Sequence, residues 1–141
     1  LSFFSSSGYE VRKNNPIGDI TVYLPIDTSK NSRKFVSLIN PKMVFFVKYE
    51  FWPNYLQNLE KNSIPTFLLA GLFRENHWFF RWYGSGFLNL LKSSITHFFV
   101  QNKDSIDLLI NNNITNCTLM GDSRFDRVNT LLDQNNNIEN I

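Results

Sequence analysis

The chain has 141 residues, enough for one domain with a real core and hardly for two. Its formal charge of +2 excludes a global polyelectrolyte attraction to nucleic acid, so any pull on anions must come from local clusters. A single cysteine, Cys117, excludes an internal disulfide and reads as a buried thiol, and without a Cys/His cluster there is no zinc framework.

In chain order, strand-like segments recur at Leu1–Phe4, Ile20–Leu24, Met43–Val47, Thr66–Ala70, His97–Val100 and Thr118–Met120. Helical patterns lie at Thr28–Ile39, Trp52–Asn62, Phe79–Ser93, Lys103–Asn111 and Arg124–Leu132. Short apolar strands alternating with helices predict a doubly wound α/β fold, a Rossmann-like parallel sheet with helices on both faces. Asp27-Thr28-Ser29 is a helix start and Asn40-Pro41 its stop, and Asn102 or Asp104 opens the helix after the fifth strand. The apolar run Leu1–Phe4 is too short for a signal peptide or a membrane span. With the Asn-rich stretch after Leu132, it reads as a piece of a longer protein: residues 1–128 a domain lacking its start, residues 129–141 a polar segment leading onward.

Four stretches carry possible chemistry. Ser5-Ser6-Ser7-Gly8 follows the first strand; its hydroxyls and free N–H groups suit a phosphate or sugar hydroxyl, or simply cap a helix, with Gly8 supplying an unusual backbone angle. Val44–Val47 runs abruptly into Lys48-Tyr49-Glu50-Phe51-Trp52-Pro53-Asn54. In an open α/β sheet, ligands bind just beyond the carboxyl ends of strands, which is where Glu50 falls. The alternative is that Glu50 complements the N-terminus of the next helix, with Pro53 in its first turn. Between Arg74 and Gly86, aromatic residues interleave with Arg74, His77 and Arg81. That composition suits a lipid–water boundary, stacked bases, or a buried helix face through Phe79, Tyr83, Phe87 and Leu91. His77 and His97 lack a metal-ligand pattern, and no nucleophile elbow is present. Gly121-Asp122 closes the last strand with a turn, and Arg124 and Asp126 begin a helix.

Read together, Phe3–Lys13, Tyr23–Asp27, Val47–Asn54, Phe79–Gly84 and Gly121–Asp126 form an ordered series that resembles the 3-deoxy-D-manno-octulosonic acid (Kdo) transferases of lipopolysaccharide synthesis. Glu50-x-Trp52-Pro53-Asn54 and Gly121-x-x-Arg124-Phe125-Asp126 are its most specific parts. The resemblance implies the N-terminal, acceptor-binding half of a two-domain GT-B glycosyltransferase. It implies inverting transfer of Kdo from the co-substrate CMP-Kdo to a lipid A precursor, with no further cofactor, no metal and no nucleic acid. The general base of the family lies in a Gly-rich motif upstream of Leu1. Glu50 is then a supporting carboxylate, with Ser5, Ser7, Gly8, Lys48 and Arg74 binding the acceptor. The implied location is the cytoplasmic face of the bacterial inner membrane, peripheral or singly anchored. Two positions depart from the family pattern: Ser6, where many relatives have Pro, and Leu72, near which many carry an Arg two residues ahead of Arg74. The alternatives are a non-catalytic α/β module that binds membranes or a partner, and another nucleotide-sugar transferase of the same architecture.

Overall fold

The computed structural model describes residues 1–14 and 18–121. Among the described residues six strands, all parallel to their neighbours, alternate with helices as the periodicity predicts. They are β1 (Ser2–Phe3), β2 (Val22–Tyr23), β3 (Val44–Val47), β4 (Thr66–Gly71), β5 (His97–Val100) and β6 (Cys117–Leu119). The helices are α1 (Ser6–Arg12), α2 (Ser29–Ile39), α3 (Pro53–Lys61), α4 (Ser85–Ser94) and α5 (Lys103–Asn111). The strands form two sheets, β1-β2 and β3-β4-β5-β6, so β1 and β3 are both edges.

The four-stranded sheet runs in sequence order, and right-handed crossovers then put α3, α4 and α5 on one face; among the described residues no helix covers the other, where the apolar strands predicted helices on both. Side-chain alternation agrees. Phe46, Leu68, Phe98 and Val100 are buried beneath the helices with Leu56, Leu59, Leu91 and Leu109. Their neighbours along the strands point the other way: Phe45 is 52 % and Val47 49 % exposed, and Phe45 stacks on Phe67 with centroids 5.4 Å apart. α2 joins the covered side by packing on α3, where the Asn58 amide donates to Ser32 Oγ at 2.7 Å.

Local signals explain the helix ends. Thr28 caps α2, accepting from the Asn31 N–H at 3.2 Å, and Asn40 ends it in the left-handed region at φ 46°. Asn102, not Asp104, caps α5 by accepting from the Ser105 N–H at 3.0 Å. Ser105 Oγ in turn accepts from the Phe73 N–H at 2.8 Å, tying the loop after β4 to α5. Gly121 adopts φ 83°, the turn expected after the last strand. The expected helix at Arg124–Leu132 lies outside the described residues.

Two expectations need correction. The helix predicted over Phe79–Ser93 is broken into turns of 3-10 type at Trp78–Phe80 and Trp82–Gly84, followed by α4. Gly84 packs so tightly that a Cβ would collide with the Trp78 carbonyl oxygen and the Phe79 Cα, a backbone contact that helical spacing does not foresee. Tyr83 consequently leaves the apolar face and is exposed, while Phe79 stays buried against Phe73 and Phe87. Cys117 is only half-buried, because β6 is a sheet edge; its thiol faces the Ile114 carbonyl at 3.6 Å, and burial pushes its pKa up.

Candidate functional site at the carboxyl ends of the strands

The loop from β3 to α3 is set by three side chains. Phe51 enters the aromatic core, with ring centroids 6.3 Å from Phe73, 6.1 Å from Phe79 and 6.1 Å from Phe87. Lys48 takes a left-handed backbone, φ 59°, which costs a non-glycine residue about 1–2 kcal/mol and turns the chain out of the sheet. Its N–H still donates to the Leu69 carbonyl at 2.9 Å, so the turn starts from the last ladder bond. Pro53 sits in the first turn of α3, where its missing N–H costs nothing.

The N-terminus of α3 is capped from elsewhere in the sequence. Asp27, in the loop after β2, accepts from the Asn54 N–H on one carboxylate oxygen (3.1 Å) and from the Tyr55 N–H on the other (3.2 Å). The Asn54 amide returns a bond to the Asp27 carbonyl at 3.1 Å, and the Tyr55 hydroxyl donates to the Pro25 carbonyl at 3.0 Å. Tyr55 is only 3 % exposed; that burial, reinforced by the Asp27 carboxylate, pushes its hydroxyl pKa up to about 12. The α3 N–H groups of Asn54 and Tyr55 are therefore held by Asp27 and not by Glu50. A carboxylate does complement this helix N-terminus, and it is Asp27.

Glu50 is left exposed, and its described side-chain hydrogen bond comes from the Trp52 indole Nε1–H at 3.2 Å. The Trp52 ring also lies on Phe4, with centroids 4.5 Å apart at 41°. Phe4 leads directly into the Ser5 turn, so the end of β1 and the end of β3 meet through this ring pair. In that turn Ser5 caps α1, accepting from the Gly8 N–H at 3.2 Å, and Ser5 Oγ lies 3.3 Å from Ser7 Oγ. Capping thus occupies Ser5, while the exposed Ser7 hydroxyl keeps capacity for a ligand. Gly8 is an ordinary helical residue and supplies no unusual backbone angle; its need is for space, since a Cβ would come within 2.9 Å of the Phe3 ring.

On the other flank, the Tyr49 and His77 rings meet edge to face at 5.8 Å. Arg74 and His77 close a turn, with the His77 N–H donating to the Arg74 carbonyl at 3.0 Å and the Arg74 N–H approaching His77 Nδ1 at 3.5 Å. Partial burial, and then the Arg74 charge, hold the His77 pKa below its ordinary value. The exposed Arg74 lines a cleft of about 720 Å³ together with Asn102, the cap of α5, and Asp104 and Asp107 within that helix.

Ser5, Lys48, Glu50 and Arg74 stand on loops and Ser7 and Gly8 in the first turn of α1, all at one edge beyond the carboxyl ends of β1, β3 and β4. Ring contacts link them, with no direct bond from Glu50 to the others among the described residues. Sequence reasoning passed over Asp27, Trp52 and Tyr49 as site builders. Trp52 was legible, two residues from Glu50 in an extended approach to Pro53; Asp27 was not, since its partners are 27 and 28 residues away. His97 belongs to the sheet, with Nε2 2.8 Å from Thr118 Oγ1. Among the described residues no group of His, Cys, Asp and Glu is placed to hold a metal ion.

No solved structure matches the chain. The family model described as 3-deoxy-D-manno-octulosonic-acid transferase (kdotransferase) matches residues 1–127, from β1 to beyond the Gly121 turn, and so spans every loop of this edge. The chain belongs to the kdotransferase family of glycosyltransferases, and its parallel α/β architecture is that of the N-terminal domain, one half of a GT-B fold.

Proposed function

We propose that this chain is the acceptor-binding half of an inverting transferase that moves Kdo from CMP-Kdo to a hydroxyl of a lipid A precursor. The observation that carries this reading is the state of Glu50: at the carboxyl end of a parallel strand, free of capping duty, and held by an indole N–H. Inversion by single displacement needs a base to take the acceptor proton as the sugar–phosphate bond opens. That base belongs to the family's Gly-rich motif, upstream of Leu1. Glu50 then positions the acceptor, accepting hydrogen bonds from its hydroxyls, while Lys48 and Arg74 meet its phosphates and Ser7 and the Gly8 turn line its sugar. The division at residue 128, between the acceptor domain and a polar connection to a donor domain, belongs to the same proposal.

The acceptor is an anionic, acylated lipid, and one surface suits it. Trp78, Trp82 and Tyr83 are exposed, Trp82 by 88 %, beside the exposed Arg74 and Arg81. Breaking the predicted helix into 3-10 turns is what takes Tyr83 off the apolar face and sets it outward beside Trp82. Rings at a lipid boundary partition into the headgroup region, and each nearby cation adds roughly 1 kcal/mol on an anionic surface. No helix among the described residues is long and apolar enough to cross a membrane. The location we propose is the cytoplasmic face of the inner membrane, with this patch against the lipid.

The test is a transfer assay with CMP-Kdo and a lipid A precursor on the full-length polypeptide. Wild type transfers Kdo; Glu50→Ala loses most of the rate with its fold intact. The 141-residue chain alone does not turn over, lacking the base and the donor site. A near-normal rate for Glu50→Ala removes Glu50 from the cleft. Transfer from a different nucleotide sugar in place of CMP-Kdo establishes the other nucleotide-sugar reading.

A further inference from the structure

We infer that Trp52 is a positioning residue, which holds the Glu50 carboxylate in place and couples it mechanically to the Ser5 turn. The inference deepens the acceptor-site reading and rests on it for its consequence in catalysis. Glu50 is exposed, and an exposed glutamate with no partner samples several rotamers and presents its oxygens in no fixed direction. Here one oxygen lies 3.2 Å from the Trp52 Nε1–H. An indole N–H is a donor only, so the contact has one polarity: it suits a carboxylate oxygen as acceptor and cannot be reversed.

The donor is itself held from three directions. Pro53 restricts the residue before it to extended backbone, and Trp52 stands at φ −115° and ψ 98°. The chain turns tightly at Glu50, where the Phe51 N–H donates to the Tyr49 carbonyl at 2.7 Å, so Glu50 and Trp52 stand on either side of a fixed bend. The indole body then packs on Phe4 at 4.5 Å and against the apolar core, which fixes the plane and so the direction of its N–H. Between Glu50 and Trp52, Phe51 is anchored in the aromatic cluster, so the loop cannot swing as a unit without unpacking the core. Because Phe4 precedes Ser5 directly, displacing that ring moves both the Ser5 turn and the indole. The carboxylate and the Ser5–Gly8 turn therefore keep a set spacing although they come from different sheets.

The experiment uses the full-length enzyme and two readouts. In the first, the Trp52 indole N–H resonance is identified by its absence in Trp52→Phe, and then followed in Glu50→Ala. A shifted resonance with faster solvent exchange is expected; an unmoved resonance overturns the inference, whatever the activity. In the second, kcat/KM for the lipid acceptor is measured for Trp52→Phe, Glu50→Ala and the double variant. Trp52→Phe keeps an aromatic ring and removes the N–H, and is expected to lose about tenfold, the scale of a hydrogen bond to a charged group, with KM for CMP-Kdo unchanged. In the Glu50→Ala background the same change is expected to have no further effect. Full additivity overturns the inference, because it means Trp52 acts independently of Glu50. Phe4→Leu, which leaves the indole untouched, separates the stack from the bond and is expected to weaken acceptor turnover by a smaller factor. A shifted resonance in a wild-type protein that transfers no Kdo leaves Trp52 holding Glu50 and refutes the assigned reaction instead.

Discussion

Replacing Asp27 by Ala should loosen α3, whereas replacing Glu50 by Ala should not. Asp27→Ala removes the acceptors of the Asn54 and Tyr55 N–H groups, bonds of 3.1 and 3.2 Å, together with a 3.3 Å contact from the Asn54 amide. Loss of a cap to Ala costs about 0.5–2 kcal/mol, and loss of a negative charge at a helix N-terminus roughly 0.3–1 kcal/mol. Taken together the change is on the order of 2 kcal/mol, reduced from the upper sum because Asp27 is half-buried and water replaces part of what is lost. In native-state hydrogen exchange that corresponds to about 30-fold faster opening of the amides from Leu56 to Leu59, the next turn of the helix. Glu50 is exposed and makes no bond to a helix N–H among the described residues, so Glu50→Ala should change the same amides by less than about 0.5 kcal/mol, or roughly two-fold. Asp27→Asn keeps one carbonyl oxygen and should fall between the two. Equal acceleration by Asp27→Ala and Glu50→Ala would refute the reasoning, because it would make Glu50 a helix cap and deprive the cleft of its carboxylate.

Three further outcomes follow from the packing. Gly84→Ala should destabilise by about 3 kcal/mol or prevent folding, since the atoms it meets are backbone, while Gly86→Ala, with open space around it in α4, should stabilise by up to about 1 kcal/mol; thermal denaturation compares them. Tyr55 should ionise near pH 12 in the folded chain and near 10 once unfolded, followed by tyrosinate absorbance. The folded state then holds a proton that the unfolded state has lost, so stability falls as pH rises from 10 to 12, by on the order of 2 kcal/mol. Trp82→Ala should weaken sedimentation of the full-length protein with phosphatidylglycerol vesicles several-fold, and Arg81→Ala by about five-fold at low salt, without changing stability by more than about 0.5 kcal/mol.

Much of this molecule is legible without coordinates. Strand and helix periods place six strands and α2, α3 and α5 within a residue or two, because a parallel sheet buries apolar runs whose partners are similar runs and whose caps are local. Thr28, Asn40 and Asn102 act on residues within four positions, and their roles follow from their chemistry. Where the pattern misleads, a non-local contact has won. Phe79, Tyr83, Phe87 and Leu91 share a helical spacing, yet the close approach of Gly84 to the Trp78–Phe79 backbone breaks the helix and sends Tyr83 outward. The missing Cβ of Gly8 likewise serves space beside Phe3 and not a rare backbone angle, and only packing tells these uses apart.

The sequence by itself determined the α/β class, the order of the elements, the family to which the motifs belong, and the position of Glu50 at the carboxyl end of a strand. These depend on side-chain period, on caps within one turn, and on motifs contiguous in the chain. Tertiary structure alone decided what Glu50 is free to do, because the competing claim on the α3 N-terminus is settled by a carboxylate 27 residues earlier, brought there by the β2–α2 loop. It also decided that the Ser5 turn and Glu50 share one edge, through a ring pair whose members follow strands of different sheets. Hydrogen bonds and ring contacts saturate: once Asp27 holds the helix N–H groups, Glu50 has nothing there to bind, and no local pattern records which carboxylate arrived.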